Sequence, residues 1–311
     1  MTKKLALLFP GQGAQFPGMG RDFYDAFSCV RETMQEADEY LLSSFSKIMF
    51  ESSVEELSQT KNSQVAIYIL GVALARLLKK ERPDLAIDTC AGLSLGEYTA
   101  LTASGKLSFK EGLSLVKLRA ESMQKACVSN PGSMQVVLGL DENAVQHVLS
   151  QFHPPHPIWI ANLNCPGQIV IAGSCDALAL VAEPLKLAGA KRCLPLDVSG
   201  AFHSGLMLPA QEELGKKIEM TPFHNTPCQI VMNVTGDYVH DVLDIKKALL
   251  QQLTSPVRWQ KGIESMMRSG ITSYIEVAPG KTLSGMNKRI GVKEPTYSLE
   301  KVEDLQTILN I

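Results

Sequence analysis

The sequence predicts an α/β protein in two parts, and three observations carry that reading. A short apolar run, Leu85 to Ala91, leads into Gly92-Leu93-Ser94-Leu95-Gly96 and then into helix-compatible residues that Gly105 stops, which reads as strand, tight turn and helix. Between about 128 and 197 the elements become short and follow the order βαββαβ, that of a ferredoxin-like unit. α/β elements resume after residue 200, so the small unit reads as an insertion. The expected architecture is a large, discontinuous α/β-hydrolase-like domain around a parallel sheet, residues 1–127 and 198–311, with a ferredoxin-like subdomain at 128–197.

Taken in order, Leu5-Ala6-Leu7-Leu8-Phe9 is a first strand ended by Pro10-Gly11. Lys3-Lys4 ahead of it mimics a signal peptide, but the apolar run is too short and no cleavage site follows. Arg21 to Phe45 and Lys61 to Lys80 carry apolar residues at helical spacing, the second (Val65, Ile69, Val72, Leu77) apolar enough to be largely buried. Strand, crossover helices and strand make a parallel pair. Lys110 to Cys127 is another helix, with Leu113, Val116, Ala120 and Met123 on one side. The insertion reads as a strand (Ser133 to Leu140), a helix opened by Asp141 (Glu142 to Gln151) and a strand (Ile158 to Leu163). A turn at Cys165-Pro166-Gly167, a strand (Gln168 to Ala172), a helix (Asp176 to Leu187) and a strand (Arg192 to Leu196) complete it. Beyond lie helices at Pro209 to Glu219, Ile245 to Leu253 and Trp259 to Ser269, and a strand at Ser273 to Val277.

Composition narrows the class. With 311 residues, 45% hydrophobic and 20% charged, the chain is an ordinary soluble protein, and it lacks the run of roughly 18 apolar residues that a membrane span requires. A net charge of -2 leaves no footprint for nucleic acid. Seven cysteines without a C-x-x-C pair argue against a disulfide framework or structural zinc and point to the cytoplasm. The two histidines of His153-Pro154-Pro155-His156-Pro157 read as a surface loop rather than metal ligands, because prolines deny them a helical face.

A serine between glycines on a strand-to-helix turn has the pattern of a nucleophile elbow, and a serine nucleophile needs a base. Of six histidines, His203 is the best placed, in the small-residue turn Ser199-Gly200-Ala201-Phe202-His203-Ser204 after the last strand of the insertion. Its orienting partner is either a carboxylate, for which Asp197 is a poor candidate, or a backbone carbonyl, which leaves no sequence signature. Oxyanion donors are expected from the Leu95 amide and from the glycine-bearing loop Phe9 to Gln15, which includes Gln12. Arg119, flanked by Leu115, Val116 and Met123, emerges from an apolar sector and needs an anion. That anion is either an internal carboxylate or the acid end of an acyl substrate.

Together these residues resemble the malonyl-CoA:acyl carrier protein transacylase family of fatty-acid synthesis. The shared pieces are LFPGQGAQ (Leu8 to Gln15), GLSLGEY (Gly92 to Tyr98), LRAESMQ with Arg119 and Met123, and ANLNCPGQIVIAG (Ala161 to Gly173). AFHS (Ala201 to Ser204), SPVRW (Ser255 to Trp259) and EVAPGKTLSG (Glu276 to Gly285) complete the set, which spans nearly the whole chain. The resemblance implies Ser94 as nucleophile, His203 as general acid and base, Arg119 as clamp for the malonyl carboxylate, and Gln12 and Leu95 as oxyanion donors. It places Met123 and Phe202 by the substrate, and implies that a main-chain carbonyl of Pro256-Val257-Arg258-Trp259, assigned to Arg258, orients the histidine. Leu93 departs from the histidine that many members carry before the serine. The implied reaction is ping-pong transfer from malonyl-CoA to the phosphopantetheine thiol of acyl carrier protein, without metal or bound cofactor. The implied protein is a cytoplasmic monomer that meets its carrier transiently, with Lys191, Arg192, Lys281, Lys288 and Arg289 as candidates for a basic rim. A serine esterase and a non-catalytic docking module are the competing readings.

Overall fold

The computed structural model describes residues 3–152, 157–277 and 279–311, so His153 and His156 of the proline loop lie outside the described residues. Among the described residues ten strands form two sheets: β1 (Leu5–Phe9), β2 (Ile87–Gly92), β3 (Ser133–Leu138), β4 (Ile158–Cys165) and β5 (Gln168–Gly173), then β6 (Arg192–Pro195), β7 (Gln229–Met232), β8 (Asp237–Tyr238), β9 (Ser273–Val277) and β10 (Thr296–Leu299). The larger sheet runs β10-β9-β1-β2-β7-β8, and all of its pairings are parallel except β7 with β8. Its central strand β1 is buried at every position, as expected of a parallel strand covered on both faces.

The smaller sheet runs β4-β5-β3-β6 with every pairing antiparallel. Helices Glu142–Leu149 and Cys175–Leu187 contribute to its own core, where Val145, Val148, Val181 and Leu185 meet Val137, Ile160 and Ile171. Chain order and strand order together are the ferredoxin-like arrangement. Val257 ties this unit to the rest: its amide donates to the Ala161 carbonyl and its carbonyl accepts from the Leu163 amide, both at 2.8 Å.

Local chemistry sets the helix boundaries. Helix Phe109–Ser129 opens with a capping box between Ser108 and Glu111, and Thr60–Glu81 is buried over most of its length between neighbouring helices and the sheet. The helical spacing over Arg21 to Phe45 corresponds to two helices, Arg21–Ala26 and Ser28–Leu41, and a third, Phe45–Glu51, begins where it ends. Phe27 is extended and Leu42 left-handed, and each breaks the hydrogen-bond ladder. Among the described residues no helix is long and apolar enough to cross a membrane.

The parallel strands point their carboxyl ends the same way. The turn at Ser94, the Pro10 to Gly13 loop and Asn233 therefore emerge from β2, β1 and β7 on one edge of the sheet, where open α/β sheets bind ligands.

Candidate active site

Ser94 sits on a turn that only glycine neighbours permit. Its φ of 52° is left-handed, a conformation that costs about 1–3 kcal/mol and persists only where the surroundings enforce it. They do: a Cβ on Gly92 would collide with the Gly96 backbone, and one on Gly96 with the Phe9 carbonyl, so strand, turn and β1 are in direct backbone contact. The Ser94 amide donates to Asn233 Oδ1 at 2.7 Å, and Asn233 Nδ2 donates to the Gly92 carbonyl at 2.7 Å. One asparagine side chain thus holds both sides of the turn.

His203, also left-handed at φ 56° and buried, places Nε2 2.8 Å from Ser94 Oγ. Its Nδ1 lies 2.7 Å from the Gln252 carbonyl. A carbonyl only accepts, so Nδ1 carries the proton and Nε2 is left free to accept from the Ser94 hydroxyl. Gln252 follows the last turn of helix Val242–Gln251, where carbonyls lack intrahelical partners, so its oxygen is available for this role. Burial, and next the positive charge of Arg119, push the His203 pKa down to about 4, against the opposing pull of the Gln252 carbonyl.

The orienting carbonyl therefore belongs to Gln252 and not to Arg258. The Arg258 carbonyl is already engaged at the start of helix Trp259–Arg268, where it accepts from the Gly262 amide at 3.1 Å. The Arg258 amide donates to the Asn233 carbonyl at 2.9 Å, and its guanidinium pairs with Glu142 at 3.1 Å. The segment joins the two sheets instead of touching His203. Asp197, the weak carboxylate candidate, is exposed.

Arg119 is 1% exposed, yet no carboxylate lies within ion-pairing distance of it among the described residues. Neutral acceptors hold it: Gln64 Oε1 on Nη1 at 2.6 Å and Gln252 Oε1 on Nη2 at 3.0 Å. The same Nη2 reaches Ser94 Oγ at 3.1 Å, and the guanidinium carbon stands 5.5 Å from the centre of the Tyr98 ring. Burial lowers the Arg119 pKa, with Tyr98 and Glu97 opposing. Among the described residues the internal ion pair left open by the sequence is absent: Glu97 acts on the cation only from beyond Gln252, and the guanidinium faces the serine oxygen directly.

Gly11 packs so closely on the turn that a Cβ there would lie 2.5 Å from the Leu93 carbonyl oxygen, which brings the Gln12 loop beside Ser94. Among the described residues neither the Leu95 amide nor the Gln12 amide has a protein acceptor, so both remain able to bind an anion. The Gln12 side chain donates to Thr60 Oγ1 and accepts from Gln64 Nε2, each at 3.4 Å. Met123 is buried and takes a contact from Gln64 Nε2 at 3.5 Å, while Phe202 is buried next to His203.

Four residues of this constellation escape the sequence reading: Gln64, Glu97, Asn233 and Gln252. Glu97 is fully buried in the first turn of helix Gly96–Ala103. Its Oε1 accepts from the Asn233 amide and its Oε2 from Gln252 Nε2, both at 2.6 Å. Burial raises its pKa to about 8 against those two hydrogen bonds and the Arg119 charge. Only the position of Glu97 directly after the elbow could have drawn attention to it.

A partly exposed serine set against a buried histidine and a buried arginine at the carboxyl edge of a parallel sheet defines an acyl-transfer site by geometry, and residues 6–306 match the family model described as "Acyl transferase domain". The chain is 40% identical over 304 residues to the malonyl CoA-acyl carrier protein transacylase of Bacillus subtilis, covering 97% of this chain and 95% of that one. It is 38% identical over 288 residues to the transacylase of the same name from Haemophilus influenzae, covering 93% and 92%. Among solved structures, an acyl carrier protein S-malonyltransferase from Vibrio cholerae superposes with a TM-score of 0.93 at 37% identity, covering 98% and 100%. A malonyl-transacylase solved in complex with its type II PKS acyl-carrier protein gives 0.95 at 35%, covering 99% of each chain. The chain belongs to the malonyl CoA-acyl carrier protein transacylase family.

Proposed function

We propose that the protein moves a malonyl group from malonyl-CoA to the phosphopantetheine thiol of an acyl carrier protein through an ester on Ser94. The observation that carries this reading is Arg119: a buried cation without a carboxylate partner, 3.1 Å from the serine oxygen, fits an acyl group that ends in an acid. Ser94 Oγ attacks the thioester carbonyl while His203 Nε2 takes its proton. The Gln12 and Leu95 amides receive the carbonyl oxygen as it becomes negative. Collapse expels the CoA sulfur, which leaves with the proton from His203. In the second half-reaction His203 removes the proton of the carrier thiol, the thiolate attacks the ester, and the proton returns to Ser94. The Gln252 carbonyl holds the imidazole in one tautomer throughout, and Met123 and Phe202 supply apolar contacts for the acyl chain.

Each half-reaction is an acyl transfer between a thiol and a hydroxyl, which the protein's own base and amides can carry, and malonyl-CoA enters as substrate. The protein is inferred to act as a cytoplasmic monomer that meets its carrier transiently. For docking, Lys191 is exposed directly before β6, Arg192 at its first position, and Lys288 and Arg289 in the last turn of helix Thr282–Ile290. Lys281 is partly engaged with Glu300 at 3.6 Å.

Radiolabelled malonyl-CoA should give one CoA and one labelled protein per active site, and addition of phosphopantetheinylated carrier protein should discharge the label onto the carrier. Release of the label as free malonate without transfer would establish an esterase instead. Parallel assays with methylmalonyl- and acetyl-CoA define which acyl units the pocket accepts.

The lowered pKa of His203 sets the acid limb of the reaction. The base works only when neutral, so kcat/KM should fall as pH drops through about 4 and should show no inflection near the ordinary histidine value of 6.5. An acid limb at 6.5, measured while circular dichroism still reports native protein, would contradict the buried imidazole described above.

A further inference from the structure

Behind the elbow, β2 and the approach to β7 bring two thiols together, one two residues before Gly92 and the other directly before β7. Cys90 Sγ lies 3.7 Å from Cys228 Sγ. Cys90 pairs with Ile230 across the parallel ladder, so Cys228, two residues earlier, lies on the same side of the sheet. Cys90 is fully buried, whereas Cys228 is partly exposed and lines an open cavity of about 540 Å³. Lys3, Lys4 and Lys79 line that cavity too, with Asp88 as an opposing charge. Beneath it the buried Lys106 reaches the Thr226 carbonyl at 3.4 Å and the Thr226 hydroxyl at 3.3 Å.

We infer that Cys228 and Cys90 form a peroxide-oxidisable dithiol, whose disulfide slows the chemistry at Ser94. The two cysteines have distinct parts. Hydrogen bonding from the Cys90 thiol lowers the pKa of Cys228 and nearby Lys106 adds to this, so Cys228 is the more readily ionised and also the solvent-accessible partner. Its thiolate attacks one oxygen of a hydroperoxide and becomes a sulfenic acid, with the other oxygen leaving as water or alcohol. Cys90 Sγ then attacks the sulfenyl sulfur, the S–S bond forms, and the hydroxyl leaves as water with the Cys90 proton. Two thiols thus supply the two electrons that reduce one peroxide bond.

The path from this pair to the acyl site is covalent and short. Cys90 is followed by Ala91, Gly92 and the elbow, and Cys228 by the four residues of β7 and then Asn233, whose side chain holds the Ser94 amide and the Gly92 carbonyl. Bonded sulfurs stand about 2.05 Å apart. Closing the present gap of 3.7 Å draws Cys90 and Cys228 together, and the part of that movement that side-chain rotation does not absorb shifts β2 against β7, and with them Ser94 against Asn233.

The test treats the full chain with hydrogen peroxide, blocks remaining thiols with iodoacetamide, and reads cross-linked peptides by mass spectrometry beside the rate of malonyl transfer. The expected result is a Cys90–Cys228 peptide pair two hydrogens lighter than the free thiols, a several-fold slower transfer, and recovery of both with dithiothreitol. Cys228→Ser should keep the basal rate and abolish both the cross-link and the peroxide response. Cys90→Ala should accumulate a dimedone-trappable sulfenic acid on Cys228 without a cross-link. Free Cys90 and Cys228 under conditions that oxidise the exposed Cys175 would overturn the assignment of the dithiol. An unchanged transfer rate in fully cross-linked protein would overturn its link to Ser94. The cross-link is read by mass alone, so its absence is distinguishable from failure of the acyl-transfer reading.

Discussion

Ser94→Ala should abolish the labelled malonyl-protein and lower transfer by about four orders of magnitude or more, the scale on which serine nucleophiles are missed. The loss is chemical because the protein scaffold around the turn is held by the backbone: Gly92 and Gly96 in contact with their neighbours, and Asn233 bonded to the Ser94 amide. Folding should therefore persist, as circular dichroism and a thermal melt would show. Comparison with Ser94→Gly separates the two things this position does. Both variants lose the hydroxyl and its bonds to His203 and Arg119, but only glycine adopts φ near 52° without a Cβ penalty. Ser94→Gly should melt at a higher temperature than Ser94→Ala while remaining equally inactive. A mutant still labelled by malonyl-CoA would place the nucleophile elsewhere, and equal melting temperatures would contradict the strain.

The parts legible from sequence are those that a side-chain type or a periodic pattern encodes locally. The elbow announces itself because glycine is needed where the strand touches the helix, and the small sheet because short alternating segments recur with turn residues between them. Arg119 was visible as a cation on an apolar helix face. What stayed hidden is encoded by position in space. The carbonyl that orients His203 is a backbone group with no residue signature, and it comes from a helix end rather than from the neighbouring motif, whose own backbone is consumed by the Ala161 and Leu163 bonds and by the helix it starts. Strand β7 is a four-residue run whose partner lies far away in sequence, so nothing local marks it as part of the sheet. Asn233 went unseen with it. Glu97 looked like an ordinary first-turn glutamate, yet it joins the two long-range partners of the site, the amide of Asn233 and the side chain of Gln252, in one buried network.

Arg119→Ala should divide substrates by charge. With the guanidinium gone, a malonyl carboxylate entering the site would be buried without a partner, a situation that costs about 3–5 kcal/mol and corresponds to a loss of roughly 10²–10³-fold or more in kcat/KM. Acetyl transfer has no carboxylate to satisfy and should fall far less. Part of any common loss is structural, since Gln64 Oε1 and Gln252 Oε1 would lose the donor they now share, and Gln252 carries the carbonyl that orients His203. Arg119→Lys controls for this. It restores a positive charge but not the planar fork that can bind Gln64, Gln252 and a carboxylate together, so it should recover malonyl transfer only in part. The informative quantity is the ratio of malonyl to acetyl kcat/KM in the wild-type protein and both variants. A ratio that falls steeply in Arg119→Ala and partly returns in Arg119→Lys identifies Arg119 as the carboxylate clamp. Equal losses for both substrates would reduce it to a brace for Gln252 and Ser94.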